Sequence, residues 1–353
     1  MEIENKKFVI YGAGGSLKAL WGGCKNLNPI CIADQKYDLI GSRFEGIKIV
    51  SPNEIPSYQF DSILITNRRE NDVEEIRHCL TDMGINDDQI LSLYSWTVRN
   101  HFCIPGLVVS VGQKCTLKCK NCGNFSPYAS QEHLEYDVFD IIREINSFLD
   151  TVDFITEIQI QGGEPFLYKD LEKLVEFTLN EKRILHVTIA SNGTIIPPDK
   201  IISLCKNPKV TIRISDYSIP GKKQVLKNYL NNNGINYFCY NFSDNNDKWR
   251  DLGGIDTIRE NDDSIVEKRF MNCNFQYCLT LENAMLGWCS RSTHAPFIQK
   301  FPISDEDIFK FEADGTADCK KLREYLSEHK FMETCRYCHG TDGEAIQPAI
   351  QIQ

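Results

Sequence analysis

No stretch of this chain approaches the roughly 20 apolar residues that cross a bilayer, and the first residues, Met-Glu-Ile-Glu-Asn-Lys-Lys, contain no apolar core of a secretory signal. A cytoplasmic protein with no membrane partner is therefore expected. Basic runs are equally lacking. With 39 Lys and Arg against 49 Asp and Glu, the formal charge is −10, and no cluster of cations offers a footprint for a phosphate backbone. Nucleic acid is excluded as the expected partner. There is no internal repeat and no low-complexity tract, and a hydrophobic fraction of 42% supplies real cores, so disorder is excluded for the bulk of the 353 residues. That length suits two or three domains.

Cysteine, by contrast, is abundant. Fifteen are present, and in a reducing compartment they do not form a disulfide framework, so the clustered ones point to metal. Cys24, Cys31, Cys79, Cys205 and Cys239 stand singly among apolar neighbours and read as ordinary buried thiols. Cys115, Cys119 and Cys122 fall within eight residues, as C-x3-C-x2-C. Three thiolates so close can hold an iron–sulfur cluster with one iron left open. One face of a helix would also present positions i, i+4 and i+7, but Lys118, Lys120 and Asn121 between the cysteines and Gly123, Asn124, Ser126 and Pro127 after them are poor helix material. Zinc or C-x2-C redox chemistry at Cys119 and Cys122 stays open.

The first hundred residues alternate strand and helix. Phe8–Tyr11 is an apolar run, Gly12, Gly14 and Gly15 form a glycine turn, Leu17–Trp21 opens a helix, and Ile30–Ala33 ends at Asp34. This grammar predicts a doubly wound sheet that binds ligands where strand ends meet helix N-termini. Leu17 occupies the place of the third glycine of G-x-G-x-x-G. Asp34 lies where an acid would meet a ribose hydroxyl, and a lone acid there is at least as often a turn residue. The longer pattern from Asp34 through Gly41, Gly46, Pro52 and Asp61 resembles the Rossmann-like N-terminal domain of nucleotide-sugar acyltransferases. That resemblance implies a nucleotide-linked or carbohydrate ligand, or a docking module that binds nothing.

After Pro105 and Gly106 a second alternation begins, with strands expected at Leu107–Val111, Glu157–Ile160, Val187–Ala190, Val210–Ile214 and Tyr237–Tyr240. Helices are expected at Val138–Leu149, Leu171–Leu179 and Val225–Leu230. Such alternation predicts a parallel sheet with its site at the C-terminal strand ends. Gln161-Gly162-Gly163-Glu164-Pro165 follows the second of these strands. The glycines allow close backbone approach to a ligand and Glu164 offers an acceptor for an ammonium group, although Gly-Gly-Glu-Pro is also a plausible turn.

The cysteine triad after a strand, followed one strand later by this element, resembles the radical S-adenosylmethionine (radical SAM) enzymes. The pattern departs from that family at Asn121, where an aromatic residue is common. The resemblance implies a partial (β/α)6 barrel, a [4Fe–4S] cluster on Cys115, Cys119 and Cys122, and S-adenosylmethionine held by Gly162, Gly163 and Glu164. Asn192 and Ser215, at later strand ends, would face the methionine and the ribose, against the alternative of common turn chemistry. It also implies a flavodoxin- or ferredoxin-type electron donor.

The last eighty residues carry a second cysteine set, Cys273, Cys278, Cys289, Cys335 and Cys338, around a hairpin expected at Leu279–Glu282 and Met285–Trp288. It resembles the small "twitch" (shortened SPASM) domain, which implies a second [4Fe–4S] cluster. Family spacing favours Cys273 over Cys278, and four thiolates ending in C-x2-C also describe structural zinc. Cys319 reads as a bystander, and Arg291 and His294 read as surface positions.

The expected fold is thus α/β in three parts: a Rossmann-like doubly wound sheet over 1–96, a radical SAM barrel over 104–250, and a cysteine-rich auxiliary-cluster domain over 251–353. The expected activity is hydrogen abstraction from a small polar substrate, a sugar, cyclitol or nucleotide-linked sugar, ending in dehydrogenation or epimerisation. A peptide-modifying enzyme and a non-catalytic zinc or iron–sulfur scaffold are the alternatives.

Overall fold

The computed structural model describes residues 6–67, 70–93, 103–217, 222–241, 249–273, 275, 278–294, 298, 301, 304, 306–327 and 331–352. Two sheets organise them. In the first, β1 (Phe8–Tyr11) is flanked by β2 (Pro29–Ala33) and β5 (Ser62–Ile65), with β3 (Arg43–Phe44), β4 (Ile47–Val50) and β6 (Ile90–Ser92) completing the order β3-β4-β2-β1-β5-β6. Only the edge pair β3/β4 is antiparallel. A central parallel strand is covered on both faces and so reads as a continuous apolar run. Phe8 and Ile10 pack with Leu17 and Leu20 of α1 (Gly15–Cys24), while Val9 and Tyr11 pack with Val73, Ile76 and Leu80 of α2 (Glu70–Asp82).

The second sheet begins with β7 (Cys103–Ile104) and β8 (Leu107–Ser110), both paired to β9 (Phe154–Gln161) across the Pro105–Gly106 interruption. β10 (Ile184–Ser191), β11 (Val210–Asp216) and β12 (Tyr237–Asn241) follow in parallel, joined by α3 (Val138–Leu149), α4 (Leu171–Asn180), α5 (Asp199–Cys205) and α6 (Lys222–Asn232). The α3 start is set by Asp137, whose carboxylate accepts the backbone N–H of Phe139 and Asp140, and Ile141, Ile145, Phe148 and Leu149 form its buried stripe.

The next parallel strand, β13 (Thr280–Glu282), does not extend the sheet beyond β12. It pairs with β8 at the opposite edge, and β14 (Met285–Gly287) and β15 (Ile308–Lys310) continue outward as antiparallel strands. Leu281, Leu286, Trp288, Leu322 and Leu326 belong to the same core cluster as Ile145, Phe148 and Ile158. One sheet and one core therefore cross the expected boundary at 250/251. The β13/β14 turn carries Asn283 and Ala284 at φ 48° and 60°, a type I′ geometry in which a residue with a Cβ costs roughly 1–2 kcal/mol. A hydrogen bond from the Ala284 N–H to Glu144 of α3 (2.9 Å) helps to hold it.

The first sheet sits at the N-terminal ends of β9 and β10. Gly22 and Gly23 of α1 lie so near the Lys209 and Leu185 backbones that a Cβ would come within 2.6 Å and 2.2 Å of them. Phe8 meets Phe154 edge-on at 5.7 Å, and Leu93, Cys103, Phe154 and Leu185 complete a shared core. No helix among the described residues is long and apolar enough to cross a membrane.

Candidate functional site

The opposite pole, at the C-terminal strand ends, gathers the cysteine loop, the Gly-Gly-Glu loop and Asn192. Residues 115–122 are irregular apart from a one-residue bridge at Cys119, so the helix-face reading of the triad does not hold. Cys115 Sγ accepts the Leu117 N–H (3.4 Å) and the Asn192 Nδ2–H (3.5 Å). Cys119 Sγ accepts Gln351 Nε2–H (3.6 Å), and the Cys122 thiol donates to Ser126 Oγ (3.8 Å). Burial pushes the Cys115 thiol up and that of Cys119 to about 11. Only a bound cation would make thiolates favourable there.

Gly162 and Gly163 lie against the cysteine loop. A Cβ on Gly162 would lie 2.1 Å from the Gly112 carbonyl, and on Gly163 2.4 Å from that of Lys114. The close approach is to the cysteine loop itself, sealed by Gly163 N–H to Gly112 O (3.0 Å) and Glu164 N–H to Lys114 O (2.8 Å). Glu164 is bound within the fold as well. Its carboxylate is 1% exposed and turned inward, accepting Phe166 N–H (3.2 Å), Asn192 N–H (2.8 Å) and Ser191 Oγ–H (3.1 Å). It ties the ends of β9 and β10 together.

Burial raises the Glu164 pKa to about 7 against these three donors. A carboxyl whose folded pKa lies above its unfolded value keeps its proton more readily when folded, so its contribution to stability falls as pH rises between the two. Relative to Glu164→Gln, the parent should lose about 3 kcal/mol of unfolding free energy between pH 4.5 and pH 7 and above, measured by urea titration across that range. A pH-independent difference would show that Glu164 is ionised throughout.

Asn192 meets the triad directly, since its Nδ2 also donates to Thr116 Oγ1 (3.0 Å) and its Oδ1 accepts the Thr194 N–H (3.0 Å). Ser215 lies on β11 beside Tyr240, and Tyr217 just beyond it stacks edge-on against Trp249 at 5.0 Å. Behind the triad, the sheet face turned away from α3 to α6 is polar. Thr188 Oγ1 donates to Glu157 (2.5 Å), Gln159 Nε2 to Gln161 (2.6 Å), and Arg213 Nη1 to Gln159 Oε1 (2.6 Å). Apart from Gln161, none of these residues belongs to a recognisable motif in the sequence. Their signal was the two-residue alternation in Glu157-Ile-Gln-Ile-Gln161 and Thr211-Ile-Arg-Ile-Ser215.

Cys273, Cys289, Cys335 and Cys338 line one pocket with Arg269 and Arg291. Cys278 is not among its lining. Burial pushes the Cys278 thiol up to about 11, with Arg213 and Glu157 of the polar sheet face among the charges acting on it. The Phe275 N–H points to Cys273 Sγ (3.4 Å) and the Gly340 N–H to Cys338 Sγ (3.3 Å). Arg291 is 6% exposed and stacks 4.3 Å from the Phe125 ring, with a buried Nη1 that has no hydrogen-bond partner among the described residues. Four thiols beside two guanidinium groups, one with an orphaned N–H, suit an anionic tetrathiolate centre. Among the described residues no group of three or more Cys, His, Asp or Glu side chains is closed to metal-holding distance, so the pocket is a lining of thiols rather than a finished coordination shell.

Arg291 and His294 are not surface residues. His294, 2% exposed on α8 (Ser290–His294), forms a buried ion pair with Glu282. Glu282 Oε1 also accepts Ser110 Oγ–H (2.9 Å), Tyr136 OH (3.0 Å) and Gln113 Nε2–H (2.8 Å). Gln113 Oε1 in turn accepts Ser126 Oγ–H (2.7 Å), the hydroxyl facing Cys122. A continuous buried polar chain thus links the cysteine loop to the hairpin of the second pocket. Burial alone would raise the Glu282 pKa, but His294 and the donors hold it below the usual carboxylate range.

In the first sheet, Asp34 does turn chemistry: its carboxylate accepts the N–H of Ala13 (2.7 Å) and of Lys36 (2.8 Å). Gly12, at φ 101°, is required by Thr66 and Asn67. Gly14 and Gly15 face open space. Cys24, Cys31 and Cys205 are buried, Cys79 and Cys239 half-buried, and Cys319 exposed.

Residues 109–218 match the radical SAM superfamily, and residues 4–91 match the family described as C2185-like, N-terminal. The parallel unit is a radical SAM domain, and the protein is an enzyme whose cofactors are a [4Fe–4S] cluster and S-adenosylmethionine. More particularly, the chain is similar to GTP 3′,8-cyclase of Aliarcobacter butzleri (strain RM4018), 27% identical over 93 residues. It is also similar to GTP 3′,8-cyclase of Clostridium botulinum (strain Okra / Type B1), 24% identical over 254 residues. These matches cover 26% and 66% of this chain and 28% and 75% of those proteins. Among solved structures, BtrN in complex with AdoMet and 2-DOIA covers 70% of this chain and 98% of its own, at 16% identity and a TM-score of 0.44. The anSMEcpe structure with bound AdoMet covers 38% and 41%, at 17% identity and a TM-score of 0.32.

Proposed function

We propose that this enzyme abstracts hydrogen from a small polar molecule, a sugar, cyclitol or nucleotide-linked sugar, and carries it to dehydrogenation or epimerisation. The supporting observation is the polar sheet face of Glu157, Gln159, Gln161, Thr188 and Arg213 behind the cysteine loop, a surface of donors and acceptors suited to hydroxyl groups. When bound, the cluster and S-adenosylmethionine supply a carbon radical able to take an unactivated hydrogen. Cys115, Cys119 and Cys122 would hold that cluster, with Gly162, Gly163, Asn192 and Ser215 beside S-adenosylmethionine. Glu164, whose carboxylate accepts the Asn192 N–H, would stand with them. Cys273, Cys289, Cys335 and Cys338 would hold a second cluster. Gly14 and Gly15, at the start of α1, leave room for a nucleotide-linked group.

The names of the 24–29% identical relatives favour a second reading, a nucleotide substrate. The anaerobically reconstituted enzyme, given S-adenosylmethionine and dithionite, should form 5′-deoxyadenosine, faster with a member of a panel of sugars, aminocyclitols and nucleotide-linked sugars. A product two hydrogens lighter marks dehydrogenation, and a product of the substrate's mass in ordinary water that is one unit heavier in deuterated water marks epimerisation. Stimulation by GTP alone, or by a peptide alone, would replace this substrate class. No 5′-deoxyadenosine under any condition would return the protein to a scaffold role.

A further inference from the structure

The segment from residue 343 to residue 352 runs from residues 249–251 to the cysteine loop. Asp251 N–H donates to Glu344 O (2.9 Å), Ile346 N–H to Trp249 O (2.9 Å), and Arg250 pairs with Ala345. The segment then reaches the cysteine loop. Lys120 N–H donates to Ile350 O (2.7 Å), Ile352 N–H donates to Lys118 O (2.8 Å), and Gln351 and Cys119 form an antiparallel bridge. The Gln351 side chain completes the clasp: its Oε1 accepts the Lys118 N–H (2.6 Å) while its Nε2–H points at Cys119 Sγ (3.6 Å). Sulfur has a larger radius than oxygen, so that separation is within hydrogen-bond reach.

We propose that Gln351 is a positioning residue for the radical-generating cluster, fixing the Cys119 loop through its carbonyl and tuning the cluster through an N–H···S contact. A hydrogen bond to a cluster thiolate stabilises the reduced, more negative state, and so raises the reduction potential. A backbone pairing already anchors the strap, and the same Nε2 also donates to Ala349 O (2.7 Å), so the amide is held from three sides with one N–H directed at the sulfur. Its carbonyl also fixes the amide orientation, because a flipped amide would aim N–H at the Lys118 N–H. The inference rests on the reading of Cys119 as a cluster ligand, which iron binding by Cys119→Ala tests separately.

Two variants separate tuning from anchoring. Gln351→Glu keeps an acceptor for Lys118 N–H and removes the donor to sulfur, whereas Gln351→Leu removes both. In the reconstituted full chain, an EPR-monitored titration should show a lower midpoint potential for the first cluster in both variants, with iron content at the parental value. In the iron-free full chain, iodoacetamide labelling of Cys119, normalised to Cys115, should quicken several-fold in Gln351→Leu and less in Gln351→Glu. Parental potentials in both variants would overturn the tuning role, and unchanged Cys119 labelling in Gln351→Leu would overturn the anchoring role.

Discussion

Cys119→Ala should leave about four irons per chain where the parent holds about eight, as expected for two cubane clusters, and should form no 5′-deoxyadenosine. Cys119 is the most enclosed of the triad, and the side chain that meets its sulfur is the amide of Gln351, which cannot replace a thiolate ligand. The remaining iron should then reside in the second pocket. Cys273→Ala should remove iron from that pocket while sparing 5′-deoxyadenosine formation in the absence of substrate. Cys278→Ala should spare both iron sites, because Cys278 stands outside the pocket lining and within the influence of Arg213 and Glu157. Iron quantification by ferrozine and product analysis by chromatography check all three. About four irons in the parent would leave the second site to zinc or to nothing.

The largest stability effect should come from the buried pair. Glu282→Leu leaves His294 in the core without its counter-charge, and Gln113, Ser110 and Tyr136 without their common acceptor. Breaking one side of a buried ion pair costs about 3–5 kcal/mol. The double variant Glu282→Leu/His294→Leu should recover much of this, because no isolated charge remains, although the three donors stay unsatisfied. Urea unfolding at pH 7 reads both. The pH dependence has a fixed sign: the Glu282 pKa is depressed in the folded state, so its stabilisation is present above the unfolded carboxylate value and is lost as pH falls through the folded one. A double variant no more stable than Glu282→Leu would show that His294 is neutral in the core.

What could be read from sequence was whatever is local. The strands at 157–160, 187–190, 210–214 and 237–240 and the helices between them follow from apolar periodicity, and the triad and the Gly-Gly-Glu element from spacing within a few residues. What could not be read depends on partners distant in the chain. Residues Ser110, Gln113 and Glu282 are ordinary in sequence, and only the pairing of β13 with β8 brings them together across 169 to 172 positions. The same holds for Gln351, which lies 232 residues from Cys119. Arg291 and His294 looked exposed because the short α8 is polar throughout; it is buried because it packs on β13 and β14 between two sites that each need charge. The inward turn of Glu164 was hidden for a related reason, since its three donors come from two separate loops.

The seating of α1 has a consequence for traffic through the molecule. Gly22 and Gly23 bring that helix onto the Leu185 and Lys209 backbones, and Phe8, Leu93 and Phe154 fill the space beside them, so among the described residues the lower ends of β9 and β10 are closely packed. On that packing, a molecule bound for Arg213 would approach from the other pole, past the cysteine loop and the Gln351 strap. Entry, cofactor and exit would then share a single doorway, and a bound S-adenosylmethionine would stand in it as both reagent and door.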